Sequence, residues 1–192
     1  MKHAAQWRNL WVGTALLLSL LGLRAIAAAE ARVISEYEVK AAFLHKFALF
    51  VEWPGSAFQK ESDPFVIGIL GQDPFGPHLA KAIAGKLVGN RPILLRTYRT
   101  VAEAKDCHLL YISPSERPNL RQIMSELGGR GVLTVGDMAG FAEQGGVINF
   151  VRSGQTIKFH INPDAAKRAG LTISSQVLEM AVIVRDAAPP PP

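Results

Sequence analysis

A chain of 192 residues, 21 of them basic and 16 acidic, has a formal net charge of +5, yet Lys2, Arg8 and Arg24 all precede the first acidic residue, Glu30. With residues 1–29 set aside, 18 basic and 16 acidic side chains remain, a net +2 that excludes reading the charge as a nucleic-acid footprint. The one cysteine, Cys107, excludes an internal disulfide and a Cys-x-x-Cys metal site, so a core of about 160 residues must hold without a covalent staple.

Residues 1–29 are predicted to be a cleavable secretory signal peptide. Lys2 and Arg8 form a positive start, 10–23 is an apolar run interrupted only by small residues, and Ala25, Ala27 and Ala29 frame two A-x-A cleavage sites. The run is shorter than the roughly 20 residues that cross a bilayer. No cysteine follows it to carry a lipid, and no twin-Arg pair precedes it.

A single α/β domain is expected over 33–185. Ser35 and Glu38 form a capping box, and Glu36 and Lys40 an i,i+4 pair, at the start of a helix. Its apolar face is read as Val39, Phe43, Phe47 and Phe50, widened by Leu44 and Val51, with a stop before Pro54. Residues 65–70 form a continuous apolar strand of the kind buried on both faces. Asp73-Pro74 reads as an N-cap with proline at the first helical position, opening a helix to about Ala84.

Strands follow at 93–99, 107–112 and 132–135, with a helical turn over 101–105 between the first two. A helix through Leu120, Ile123, Met124 and Leu127, closed by Gly128-Gly129, precedes the last of them. Alternating runs at 146–151 and 156–161, joined by Ser153-Gly154-Gln155, predict a β-hairpin. In its second strand Ile157, Phe159 and Ile161 share one face, leaving Lys158 and His160 on the other. Two helices, 164–169 and 174–184, finish the domain, and 186–192 reads as a Pro-rich disordered tail. This order predicts an α/β three-layer sandwich whose mostly parallel sheet has an antiparallel hairpin at its edge.

Chemistry is sparse in the pattern. Gly71-Gln72-Asp73-Pro74-Phe75-Gly76 stands where a phosphate loop would, but fits neither nucleotide fingerprint, and Pro74 removes a donor. His45, His78, His108 and His160 fall on separate elements without metal-ligand spacing, and His108 lies in a buried strand, where a hydrogen-bonded core histidine is the default. There is no Gly-x-Ser-x-Gly, Cys107 has no evident activating base, Ser174 reads as a cap, and Asp137 and Glu143 flank a Gly-rich turn. The residues point to a binding module with no catalytic site, no metal and no cofactor.

The order of segments resembles the YfiR/HmsC-type periplasmic regulatory proteins. It is carried by Glu36-Tyr37-Glu38-Val39-Lys40-Ala41-Ala42-Phe43-Leu44, Phe50-Val51-Glu52-Trp53-Pro54, Phe65-Val66-Ile67-Gly68, Asp73-Pro74-Phe75-Gly76, Gly89-Asn90-Arg91-Pro92-Ile93 and Cys107-His108-Leu109-Leu110-Tyr111-Ile112-Ser113. It continues through Val132-Leu133-Thr134-Val135-Gly136-Asp137, Phe141-Ala142, Gly145-Gly146-Val147-Ile148-Asn149-Phe150, Phe159-His160-Ile161-Asn162, Ala165-Ala166 and Gly170-Leu171-Thr172-Ile173-Ser174-Ser175-Gln176-Val177-Leu178. The resemblance implies a periplasmic repressor of an inner-membrane diguanylate cyclase, acting on the cyclase's periplasmic sensor region and thereby on cyclic-di-GMP and biofilm formation. It also implies capture by an outer-membrane YfiB-type lipoprotein, a homodimer and no catalysis. Members can carry disulfides that respond to redox state, whereas here Cys107 has no partner.

For the partner surface the expectation is the outward face of the hairpin and the following helix: Lys158, His160, Asn162 and Ala166. The alternative is a periplasmic small-molecule sensor without a cyclase partner, its crevice at the carboxyl ends of the strands near Gly71, Ser113 and Gly136. An exported hydrolase would rest on fold analogy alone.

Overall fold

A computed structural model describes residues 34–187; the expected signal peptide and residues 188–192 lie outside the described residues. Helix α1 (Glu36–Phe50) is opened by Ser35, whose hydroxyl accepts from the Glu38 amide at 3.1 Å. Its buried stripe is Lys40, Ala41, Leu44, Phe47 and Ala48. This is one helical position away from the predicted face, and Phe43 and Phe50 are only partly buried. The shift comes from the aromatic side chains that receive the helix. Phe47 lies 5.7 Å from Phe150 and 5.4 Å from Phe159, and Phe43 flanks the same pair.

The chain leaves α1 through β1 (Val51–Glu52), which pairs antiparallel with β9 (Thr172–Ile173). The main sheet is built on β2 (Phe65–Leu70), β4 (Arg91–Tyr98), β5 (Leu109–Ile112), β6 (Leu133–Gly136) and β7 (Ile148–Ser153). These five are parallel in the order β4-β2-β5-β6-β7. Strand β3 (Leu87–Val88) adds antiparallel to β4 at one edge. At the other, β8 (Thr156–Ile161) turns back antiparallel on β7, and β10 (Val182–Ile183) adds parallel to β8.

Alternation along the strands sorts two cores, as period two requires. Phe65, Ile67 and Ile69, with Leu109, Tyr111, Leu133 and Val135, pack under α1, α2 (Pro77–Ile83), α4 (Pro163–Arg168) and α5 (Ser175–Glu179). Val66, Leu70, Leu110 and Ile112 pack on the opposite face with α3 (Leu120–Leu127) and the ring of Phe141. The molecule is therefore an α/β three-layer sandwich with a mostly parallel sheet, as expected.

Three boundaries differ from the sequence expectation. The Asp73 carboxylate accepts from the Phe75 amide at 2.7 Å, a local turn that competes with helix, and Gly76 adopts φ 53, so α2 begins at Pro77 rather than Pro74. The final helix ends at Glu179, because Val182 and Ile183 satisfy their backbone against β8. The hairpin is consequently one strand in from the edge. Asp186 and Ala187, the first residues of the expected tail, are fixed: Asn162 and Arg168 donate to the Asp186 carboxylate, and the Ala187 amide donates to the Glu143 carbonyl at 2.8 Å.

Candidate functional site

The strongest polar constellation lies where α1 crosses the carboxyl ends of β5 and β6. Tyr37 and Lys40 come from one face of α1, Tyr111 from β5, and Asp137 directly follows Gly136 at the end of β6. Lys40 Nζ sits 2.7 Å from Asp137 Oδ2 and 2.5 Å from Glu36 Oε1, while the Tyr37 hydroxyl donates to Asp137 Oδ2 at 3.0 Å. Only 5% of the Lys40 side chain and 4% of the Asp137 side chain are exposed, so this is a buried ion pair. Such a pair persists only when both charges are closely matched.

Burial works against the Lys40 ammonium, but the hydrogen bonds from Asp137 and Glu36 outweigh it and hold its pKa above the ordinary value. Tyr37 and Tyr111 are both raised, first by burial and then by the Asp137 charge. Among the described residues, the Tyr111 hydroxyl and Asp137 Oδ1 are buried without a hydrogen-bond partner. The pair connects outward as well. Glu36 Oε2 lies 3.6 Å from Arg152 of β7, giving an alternating series Arg152–Glu36–Lys40–Asp137 from the exposed hairpin into the core. This arrangement holds charge in fixed places.

The expected crevice near Gly71, Ser113 and Gly136 is filled by the chain itself. A Cβ on Gly71 would stand 2.4 Å from the Ser115 hydroxyl, and one on Gly136 2.6 Å from the Phe141 ring. Ser113 is buried. In the phosphate-loop position, Phe75 is buried and packs edge-on against Tyr37 and Tyr111. That segment is a turn and an aromatic plug.

The four predicted contact residues divide. Lys158 is exposed and His160 half-buried, with Nδ1 3.7 Å from Glu143 Oε1. Asn162 and Ala166 are buried and do not share that outward face. The reason is local: Asn162 is the N-cap of α4, accepting from the Ala165 amide at 3.0 Å while its amide group donates to the Ala142 carbonyl at 2.8 Å and to Asp186 at 2.7 Å. Ala166 sits on the face of α4 turned to the core.

His108 is a fully engaged core histidine. Its Nδ1 accepts from the Val66 amide at 3.0 Å, which leaves Nε2–H to donate to the Ala57 carbonyl at 3.0 Å. Its ring lies between Phe58 and Phe65, 4.4 and 5.1 Å between centroids. Burial pushes its pKa below 6.5. Cys107 is buried, burial raises its thiol far above the usual range, and its Sγ lies 3.0 Å from the Leu109 carbonyl. Among the described residues no group of three His, Cys, Asp or Glu could hold a metal ion.

The sequence signal for Lys40 was present but easily passed over. Lys40 lies three residues after Tyr37 and four before Leu44, so it falls on the buried stripe and not on the solvated face that an Glu36 pair suggests. No spacing could pair it with Asp137, 97 residues away.

A family model described as YfiR/HmsC-like matches residues 37–182. The chain belongs to the YfiR/HmsC-like family. The match runs from Tyr37 to Val182, so this family member carries the Lys40–Asp137 pair and the hairpin within the shared domain. A crystal structure of a conserved domain protein from Vibrio cholerae O1 biovar El Tor aligns with a TM-score of 0.54 at 13% identity, over 78% of this chain and 60% of that one. The likeness supports the fold, and the chain spans only that 60% of the other protein. A structure described as the ABC domain in complex with L-Trp from Streptococcus pneumonia aligns at 14% identity over 62% of this chain and 55% of that one. Its TM-score of 0.46 carries no argument. A search of curated proteins found no significant match.

Proposed function

We propose that this chain is a periplasmic regulatory binding protein of cyclic-di-GMP signalling, which represses an inner-membrane diguanylate cyclase by holding its periplasmic sensor region. The observation that carries the reading is the YfiR/HmsC-like match across 37–182. The family is regulatory and not catalytic, and the buried groups around Asp137 are arranged as fixed charges.

Repression by binding requires a difference in affinity for the partner's two states. Switching a population from 1:99 to 99:1 takes about 10⁴-fold preference for one state. Release would follow when a competing outer-membrane lipoprotein of the YfiB type occupies the same surface. The proposed contact surface is the outward side of the hairpin, where Lys158 is exposed and His160 is half-buried. A homodimer is part of the proposal.

Affinity capture from solubilised membranes tests the partner. A cyclase with a periplasmic domain should co-purify with the wild-type protein and be depleted with Lys158→Glu. Capture of neither an inner-membrane cyclase nor an outer-membrane lipoprotein would refute the proposal.

A further inference from the structure

At the opposite end of the sheet from Asp137, beside the amino-terminal ends of β2, β5 and β6, lies a cleft of about 500 Å³. That volume is within the range of small-molecule sites. One wall is the segment 53–64, held in place at several points. Phe58 stacks on His108 at 4.4 Å, the Arg91 guanidinium lies over the Phe58 ring at 3.8 Å, and it donates to the carbonyls of Lys60 and Asp63 at 2.9 and 2.7 Å. The His108–Ala57 hydrogen bond fastens the same segment to the sheet. The cleft is therefore formed before any ligand arrives, which limits the ordering cost of binding.

Its charges are unequal in availability. Of its two acids, Asp63 is occupied by the amides of Gln59 and Lys60 at 2.9 and 2.7 Å. Asp106 is occupied by Arg96 and by the Tyr98 hydroxyl. Two further cations line the cleft, Lys105 and Arg130, and among the described residues neither has a carboxylate partner. With Arg96, Lys105 and Arg130 against Asp63 and Asp106 the cleft is net positive, and its two cations without a carboxylate partner are an ammonium and a planar guanidinium, groups suited to an oxyanion.

We propose that this cleft binds a small oxyanionic ligand, carboxylate- or phosphate-bearing, through Lys105 and Arg130. The site is separate from the proposed cyclase contact on the hairpin and stands whether or not that contact exists. A ligand held here would clamp 53–64 against the sheet and stabilise the folded protein by mass action.

The test is calorimetric titration of the purified protein with inorganic phosphate and, separately, citrate at low ionic strength. The cleft variant Lys105→Ala/Arg130→Ala is compared with Lys81→Ala/Lys167→Ala, which removes the same charge from exposed positions on α2 and α4. Saturable one-to-one binding of either anion, weakened at least tenfold in the cleft variant and unchanged in the control, supports the site, and the anion preferred identifies the ligand class. Absence of saturable binding for both anions, retention of binding in the cleft variant, or equal loss in both variants would overturn it. All four positions are exposed, so circular dichroism should show both variants folded.

Discussion

Removing the Lys40 ammonium leaves the Asp137 carboxylate buried with only the Tyr37 hydroxyl to satisfy it. Breaking one side of a buried pair costs about 3–5 kcal/mol, whereas replacing both partners by apolar groups is far less damaging. Lys40→Met should therefore lower the denaturation midpoint sharply, and Lys40→Met/Asp137→Leu should recover most of the loss. Equal destabilisation of single and double variants in chemical unfolding would show that the pair is not the cause. At Gly68, an added Cβ would lie 2.6 Å from the Tyr98 ring and 2.7 Å from Cys107 Sγ. Gly68→Ala is expected to cost about 1–3 kcal/mol through overpacking, and Cys107→Ala in the same chain should return part of it.

His108 gives a pH dependence of defined sign. In the unfolded chain a histidine titrates near 6.5, while in the folded protein burial holds His108 below that value. Between the two values the unfolded chain binds more protons, so stability rises with pH there. The contribution is complete above 6.5 and is lost as pH falls through the folded pKa. His45, also lowered by burial, acts in the same direction. Nuclear magnetic resonance of the imidazoles checks this directly: the His108 ring should be less protonated at pH 6.5 than a free histidine, which is half protonated there.

At the scale of elements, Asn162 joins three parts of the fold: the start of α4, the turn at Ala142 and the chain end at Asp186. Loss of an N-cap costs about 1 kcal/mol, and a buried carbonyl left without a donor about 1–3 kcal/mol more. Asn162→Ala should thus destabilise by about 2–4 kcal/mol in urea unfolding, and Asn162→Asp should keep the cap while losing the two donated bonds. The strands and helices were legible because the continuous apolar run of 65–70, the strict alternation of 156–161 and the Leu120, Ile123, Leu127 spacing are local signals. Boundaries failed where a local polar bond overrode the pattern, as at Asp73, or where a distant strand edge captured the chain, as at Val182 and Ile183. The Lys158 and His160 side of the hairpin followed from period two. Asn162 did not, because its role as a cap depends on the helix that begins after it.

For the whole molecule, a charge series runs from exposed Arg152 through partly exposed Glu36 to the buried Lys40–Asp137 pair and links the hairpin to the core. The Glu36–Lys40 step was legible as an i,i+4 pair, but its links to Asp137 and Arg152 were not, for they join α1 to the end of β6 and to β7. What the sequence did carry at this scale was the ordered set of segments that marks the family, a pattern spread over the entire domain and confirmed across 37–182. The regulatory reading rests on that membership, and the cellular level of cyclic-di-GMP tests it most directly. Deleting the gene should raise cyclic-di-GMP severalfold; complementation with the wild type should restore it, and complementation with Lys158→Glu should not. An unchanged level on deletion would contradict the account.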